Sequence, residues 1–166
     1  ICPNIPEEKF VSFEGNGDAA FGLAPARDLL ATNPNAVKMA VVGINDGGVL
    51  SLINAAEQLG RADEVIGWGQ DGAFITGDNV NPHLAGSVFY FLEGYAVYAI
   101  NDVIGPIADG NTPLLKADAG DPASQVQPCP VSAEDAANVP DMEERVALLL
   151  EAPAGTTAYE LFCPSS

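Results

Sequence analysis

The chain is 166 residues long, nearly half of them apolar, and carries 23 acidic against six basic side chains for a formal charge of −17. That length and apolar content fit one domain with a real core and argue against disorder throughout. The charge repels phosphate backbones and anionic lipid surfaces, so nucleic-acid binding is excluded, and no apolar run approaches the ~18 residues needed to span a bilayer.

Taken in order, Ile5-Pro-Glu-Glu-Lys-Phe-Val-Ser-Phe13 leads from a turn into a short strand, followed by the loop Glu14-Gly-Asn-Gly-Asp18. Asp18 is placed to cap a helix running to about Ala31, with Pro25 requiring a kink or a delayed start. Asn33-Pro-Asn35 stops it. Met39-Ala-Val-Val-Gly43 is an apolar run that breaks into Asn45-Asp46, after which Val49, Leu50, Ile53, Ala56 and Leu59 recur at helical spacing up to Gly60. Glu64-Val-Ile-Gly-Trp68 repeats the step and breaks into Gln70-Asp71-Gly72; Gly86-Ser-Val-Phe-Tyr90 begins a third, with a helical pattern through Ala96, Ile100, Ile104 and Ile107. The stretch between Gly69 and Gly86 has glycine, asparagine and proline at close intervals and reads as loop with at most one helical turn. Strands alternating with helical patterns of this length predict an α/β fold, a mostly parallel sheet covered by helices.

Beyond Gly110 the composition turns to Pro, Ala, Asp and Gly, so Asn111 to Pro130 reads as an extended linker or an edge element, and the chain divides into a lobe over residues 1–110 and a linker and tail over 111–166 that packs on it. Asp141-Met-Glu-Glu144 looks like a capping box opening a short helix to Leu150. Cys129 and Cys163 flank this segment, each beside a proline. In an exported protein a disulfide between them would contribute ~3–4 kcal/mol, and Cys2 would be left without a partner. Asp109-Gly-Asn111 and Asp118-Ala-Gly-Asp121 are acidic loops, but neither has the ordered ligand spacing of a calcium loop. The scarcity of His and paired Cys argues against zinc, and no cofactor fingerprint is present.

Ligands of open parallel sheets bind beyond the carboxyl ends of the strands, where Asn45, Asp71 and Tyr90 fall. An amide at Asn45 can both donate to and accept from a sugar hydroxyl, provided Asp46 takes the helix cap and leaves Asn45 facing the cleft. A carboxylate at Asp71 can accept from two adjacent hydroxyls, or can equally serve an Asx turn. Tyr90, and less directly Trp68, offer rings on which the C–H face of a sugar stacks; core packing is the other reading for Trp68. His83 sits in a loop with no nucleophile motif beside it, and no acid–base–nucleophile set is visible, so the chain is read as non-catalytic.

The series Val41-Val-Gly-Ile-Asn-Asp46, Gly60-Arg-Ala-Asp-Glu-Val-Ile-Gly67, Gly69-Gln-Asp-Gly72 and Gly86-Ser-Val-Phe-Tyr90 resembles, in order and spacing, the C-terminal lobe of sugar-binding proteins of the ribose/galactose type, over roughly residues 5–110. These are the periplasmic or extracellular substrate-binding subunits of ABC importers. The resemblance implies a type I periplasmic-binding-protein-like lobe with helices on both faces of the sheet. It also implies non-catalytic capture of a neutral mono- or small oligosaccharide, membrane subunits of an importer as partners, and a periplasmic or extracellular location. It assigns hydroxyl contacts to Asn45 and Asp71, another to Tyr90, and a further one to the loop from Asn16 to Asp18. Ser132-Ala-Glu-Asp-Ala-Ala-Asn138 faintly resembles the family's last crossing segment. The N-terminal lobe, with the first strand and most of the first helix of this lobe, has no counterpart here, so a missing lobe or partner chain is expected to complete the cleft. The alternative is an extracellular structural subunit that reuses the lobe and self-associates through a bare sheet edge without binding sugar.

Overall fold

The computed structural model describes residues 5–75, 80–111, 128–153 and 156–163. The expectations for Cys2 and for residues 118–121 lie outside these. Three parallel strands, β1 (Met39–Val42), β2 (Val65–Gln70) and β3 (Leu84–Phe89), lie side by side in chain order. A fourth, β4 (Cys129–Ser132), pairs antiparallel with β3 and closes the sheet at that edge. The mostly parallel α/β architecture read from the sequence is therefore present.

Helix α1 (Leu23–Thr32) starts late, as Pro25 demands: the Asp18 carboxylate accepts from the Ala20 and Phe21 amides, and the regular helix begins only at Leu23. Pro25 then falls in the first turn, where its missing N–H costs nothing. Helix α2 (Asp46–Gln58) follows β1 and packs against β2 and α1. Val49, Ile53, Ala55 and Ala56 are fully buried there. Gly67 on β2 admits this contact, since a Cβ there would stand 2.4 Å from Val49 Cγ1.

The run at residues 10–13 is a correction. A 3-10 turn at Glu7–Lys9 precedes it, but the segment joins no strand ladder among the described residues, and Phe10 and Val11 stay exposed. A strand exists only against a neighbour that accepts and donates its hydrogen bonds, which apolar, β-favouring residues cannot guarantee. After β3 the chain runs through α3 (Glu93–Tyr98), a π-helical stretch (Ala99–Ile104) and α4 (Gly105–Ala108). Ile100, Ile104 and Ile107 of this run are each more than half exposed.

The C-terminal segment adds β4, α5 (Ala133–Ala136), α6 (Met142–Glu151) and α7 (Ala158–Phe162). Asp141 caps α6 by accepting from the Glu144 amide at 2.9 Å, as expected. The full reciprocal box occurs instead at α7, between Thr157 and Glu160. The segment is fastened at one cluster. Cys129 and Cys163 form a disulfide, Cα atoms 5.7 Å apart. The Phe91 ring lies 5.5 Å from that of Phe89 and 5.6 Å from that of Phe162. Buried Arg145 stands over Phe91, pairs with Glu93 and donates to the Pro140 carbonyl.

Candidate functional site

Because β1, β2 and β3 are parallel and adjacent, their carboxyl ends form one rim, and each delivers one of the expected residues to it. Asn45 follows β1, Asp71 follows β2 and Tyr90 follows β3. All three side chains are half-buried. The loop of Asn16 and Asp18 joins them, because Asn45 Nδ2 donates to the Gly17 carbonyl at 2.7 Å. Gly47 permits this closeness, since a Cβ there would lie 2.6 Å from the Gly17 oxygen.

The cap of α2 is the reverse of expectation. Asn45, with extended backbone (φ −158°, ψ 169°), is the capping residue, and its Oδ1 accepts from the Gly48 amide at 2.9 Å. Asp46 is the first helical residue, and its side chain turns inward and is completely buried. Asn45 therefore spends one donor and one acceptor locally and keeps one N–H and one lone pair for anything at the rim.

Asp71 takes the turn role read for it. Its backbone is left-handed (φ 90°), and its Oδ1 accepts from the Ala73 amide at 2.9 Å, an Asx turn. Oδ2 is clear of hydrogen bonds among the described residues. Gly72 next to it also has positive φ (75°), and a Cβ there would strike the Phe89 ring at 2.5 Å, so only glycine suits the position. Asn16 is exposed, with φ 49° and its amide donating to Glu14 Oε1. The Asp18 carboxylate is occupied in capping Ala20 and Phe21. Trp68, expected either in the core or at the rim, lies with its ring over Gly86 and is 36% exposed. His83 is half-buried, its carbonyl accepting from the Gly67 amide.

Asp46, expected at the helix cap, and Ser87, which the sequence did not single out, stand directly behind the rim. Asp46 Oδ1 accepts from the Ser87 hydroxyl at 2.6 Å and Oδ2 from the Phe74 amide at 3.0 Å, while Ser87 Oγ accepts from the Gly72 amide at 3.0 Å. Burial raises the Asp46 carboxyl above the ordinary carboxylate range; the hydrogen bonds from Ser87 and Phe74 pull it back, and the charge of Asp71 adds to the rise. The readable signal was glycine inside a strand, which often marks a close approach. At Gly69 a Cβ would lie 1.9 Å from Asp46 Oδ1. Among the described residues no group of three or more His, Cys, Asp or Glu could hold a metal ion.

The fold has a counterpart among solved structures. The chain is similar to the crystal structure of an ABC transporter periplasmic solute binding protein from Actinobacillus succinogenes 130z with bound D-allose. The two share a TM-score of 0.54 at 18% identity, over 74% of this chain and 40% of that one. The fold is that of one lobe of a periplasmic solute-binding protein. The chain spans about 40% of the length of that protein. No family model matches the sequence, and no curated protein is significantly similar to it.

Proposed function

We propose that this chain is the C-terminal lobe of a sugar-binding protein and contributes half of a cleft that captures a neutral mono- or small oligosaccharide for an ABC importer, outside the cytoplasm. The observation that carries the reading is the row of Asn45, Asp71 and Tyr90 at the ends of three adjacent parallel strands. A carboxylate oxygen, an amide and a phenol ring at one rim match the needs of a sugar: acceptors and donors for its hydroxyls, and a flat apolar surface for its C–H face. The D-allose bound by the similar protein supports the substrate class. Asn16 and Asp18 edge the same rim, and Asp18 is the weaker contributor because capping already occupies its carboxylate. One lobe covers a sugar from one side only, so a second lobe or partner chain completes the cleft and ABC membrane subunits receive the complex.

Titration calorimetry with a panel of neutral monosaccharides that includes D-allose tests this on the chain together with its second lobe. The expected result is binding that Asp71→Ala weakens by at least ~100-fold, since a carboxylate accepting from two hydroxyls makes two charge-assisted bonds. Unchanged affinity in that variant would remove Asp71 from the site, and no binding of any sugar would sink the reading.

A second reading, self-association, is favoured by one observation. Val42, Ile44, Ile66 and Trp68 are exposed on or beside β1 and β2, and the outer edge of β1 is unpaired among the described residues. Strand edges and apolar sheet faces of this kind recruit further chain. Sedimentation across a concentration series, with and without sugar, separates the two readings.

A further inference from the structure

We infer that Asp46 is the positioning residue of the rim: through Ser87, Gly72 and Phe74 it holds the loop that presents Asp71 to the ligand. The inference deepens the sugar-binding reading and rests on it.

Residues 71–75 form a tight loop with a left-handed residue at Asp71 and another at Gly72. Two successive left-handed residues, one of them not glycine, persist only where the surroundings over-determine them. The fastenings are all visible. The Asp71 amide donates to the Val88 carbonyl at 2.8 Å, extending the β2–β3 ladder by one bond. The Ala73 amide returns to the Asp71 side chain. The Gly72 and Phe74 amides depend on Asp46, the first through the Ser87 hydroxyl and the second directly. Ile75, fully buried, anchors the loop on its far side.

Asp46 can do this because it acts only as an acceptor. The Ser87 hydroxyl gives its proton to Asp46 Oδ1, which leaves the Ser87 lone pairs to take the Gly72 N–H. The other Asp46 oxygen takes the Phe74 N–H. An amide in place of the carboxylate would turn one of these acceptors into a donor facing a donor. The bonds cross long stretches of chain, 28 residues to Phe74 and 41 to Ser87, and so tie the start of α2 to the ends of β2 and β3. Gly69 clears the path, for any side chain there would displace the carboxylate. The Asp46 and Ser87 side chains are completely buried, and no buried side-chain polar atom among the described residues lacks a partner. A buried carboxylate that touches no solvent, yet fixes two amides on either side of the ligand carboxylate's own turn, determines where the Asp71 oxygens point.

The test compares Asp46→Asn and Ser87→Ala with Leu30→Ala, which opens a cavity at the far end of α1 away from the rim and lowers stability without touching the loop. Sugar affinity is measured by calorimetry on the two-lobed protein, at a temperature where every variant is folded. Hydrogen exchange at the Gly72 and Phe74 amides is followed by NMR. The expected result is a loss of affinity of roughly tenfold or more in both rim variants, as for a lost bond to a charged group. Gly72 and Phe74 should exchange faster, while Leu30→Ala keeps wild-type affinity and wild-type protection at both amides. Because the role is exercised through Asp71, Asp46→Asn should add little to the weakened binding of Asp71→Asn in the double variant. Wild-type affinity in Asp46→Asn, or full additivity in the double variant, would overturn the positioning role while leaving the sugar reading intact. Absence of sugar binding in the wild-type protein would instead overturn the reading itself and the role with it.

Discussion

The two faces of the sheet are made from the same kinds of residue and meet opposite fates. On one, Val41, Val65, Gly67 and Gly69 lie against α2 and are buried. On the other, Val42 is 77% exposed, Ile66 55% and Trp68 36%. Alternation in a strand only sorts side chains into two sets; whether a set becomes core depends on what the rest of the fold lays over it. The apolar residues of the open face therefore add little to this chain's own stability.

The contrast is broken most severely by truncation. Ile53→Ala on the covered side should cost about 4 kcal/mol, because a fully buried isoleucine leaves both transfer energy and a cavity behind. Ile66→Ala, more than half exposed, should cost less than about 1 kcal/mol. Urea titrations of the two variants decide it, and equal losses would mean that the open face is covered in solution. Added bulk gives a sharper version. Gly69→Ala drives a methyl into Asp46 with fully buried surroundings and should cost about 3 kcal/mol. Gly86→Ala meets the Trp68 ring less closely, at 2.5 Å against 1.9 Å, and that ring borders solvent and can swing away, so about 1 kcal/mol or less is expected. Thermal melts of both variants give the ratio directly.

The smallest effect concerns charge on the dry side. With its carboxyl raised by burial, Asp46 keeps a proton in the folded chain at pH values where the unfolded chain has released it. Its contribution to stability is therefore present at acid pH and is lost as pH rises through the folded value. Asp71 is the charged neighbour that adds to this rise. The difference in Tm between wild type and Asp46→Asn should shift in favour of wild type on going from pH 7 toward pH 4. A difference independent of pH would show that Asp46 titrates as an ordinary carboxylate.

Much of this was legible in the sequence because it is local. The runs at Met39, Glu64 and Gly86 became β1, β2 and β3 within a residue or two, since short apolar runs bounded by turn residues have few other uses. The delayed start of α1 followed from Pro25 alone. What was missed is non-local. Asn and Asp are nearly equal as helix caps, and only the space opened by Gly69, 23 positions later, decides that Asp46 turns inward and Asn45 caps. The run at residues 10–13 had the apolar, β-favouring residues of a strand but, among the described residues, not a neighbour. Strand β4 was half legible: the segment up to Pro130 reads as an extended linker or an edge element, and proline is tolerated on an edge, but nothing local names β3 as its partner. Of the candidate site, the types and positions of Asn45, Asp71 and Tyr90 were readable. The Asp46–Ser87 support behind them was not, because it joins residues 41 apart.

Strand β4 also sets a schedule. Its partner β3 ends at Phe89, but Cys129 arrives only some 40 residues later, and Cys163 a further 34 after that. During synthesis the three parallel strands and α2 can assemble first, with the β3 edge still open. The rings around Phe91 and the covalent closure are added when the residues up to Cys163 emerge. Non-local pairing of this kind is slow and leaves a bare edge for as long as it takes, so the growing lobe is most exposed to mispairing in that interval, and oxidation of the two cysteines marks its end.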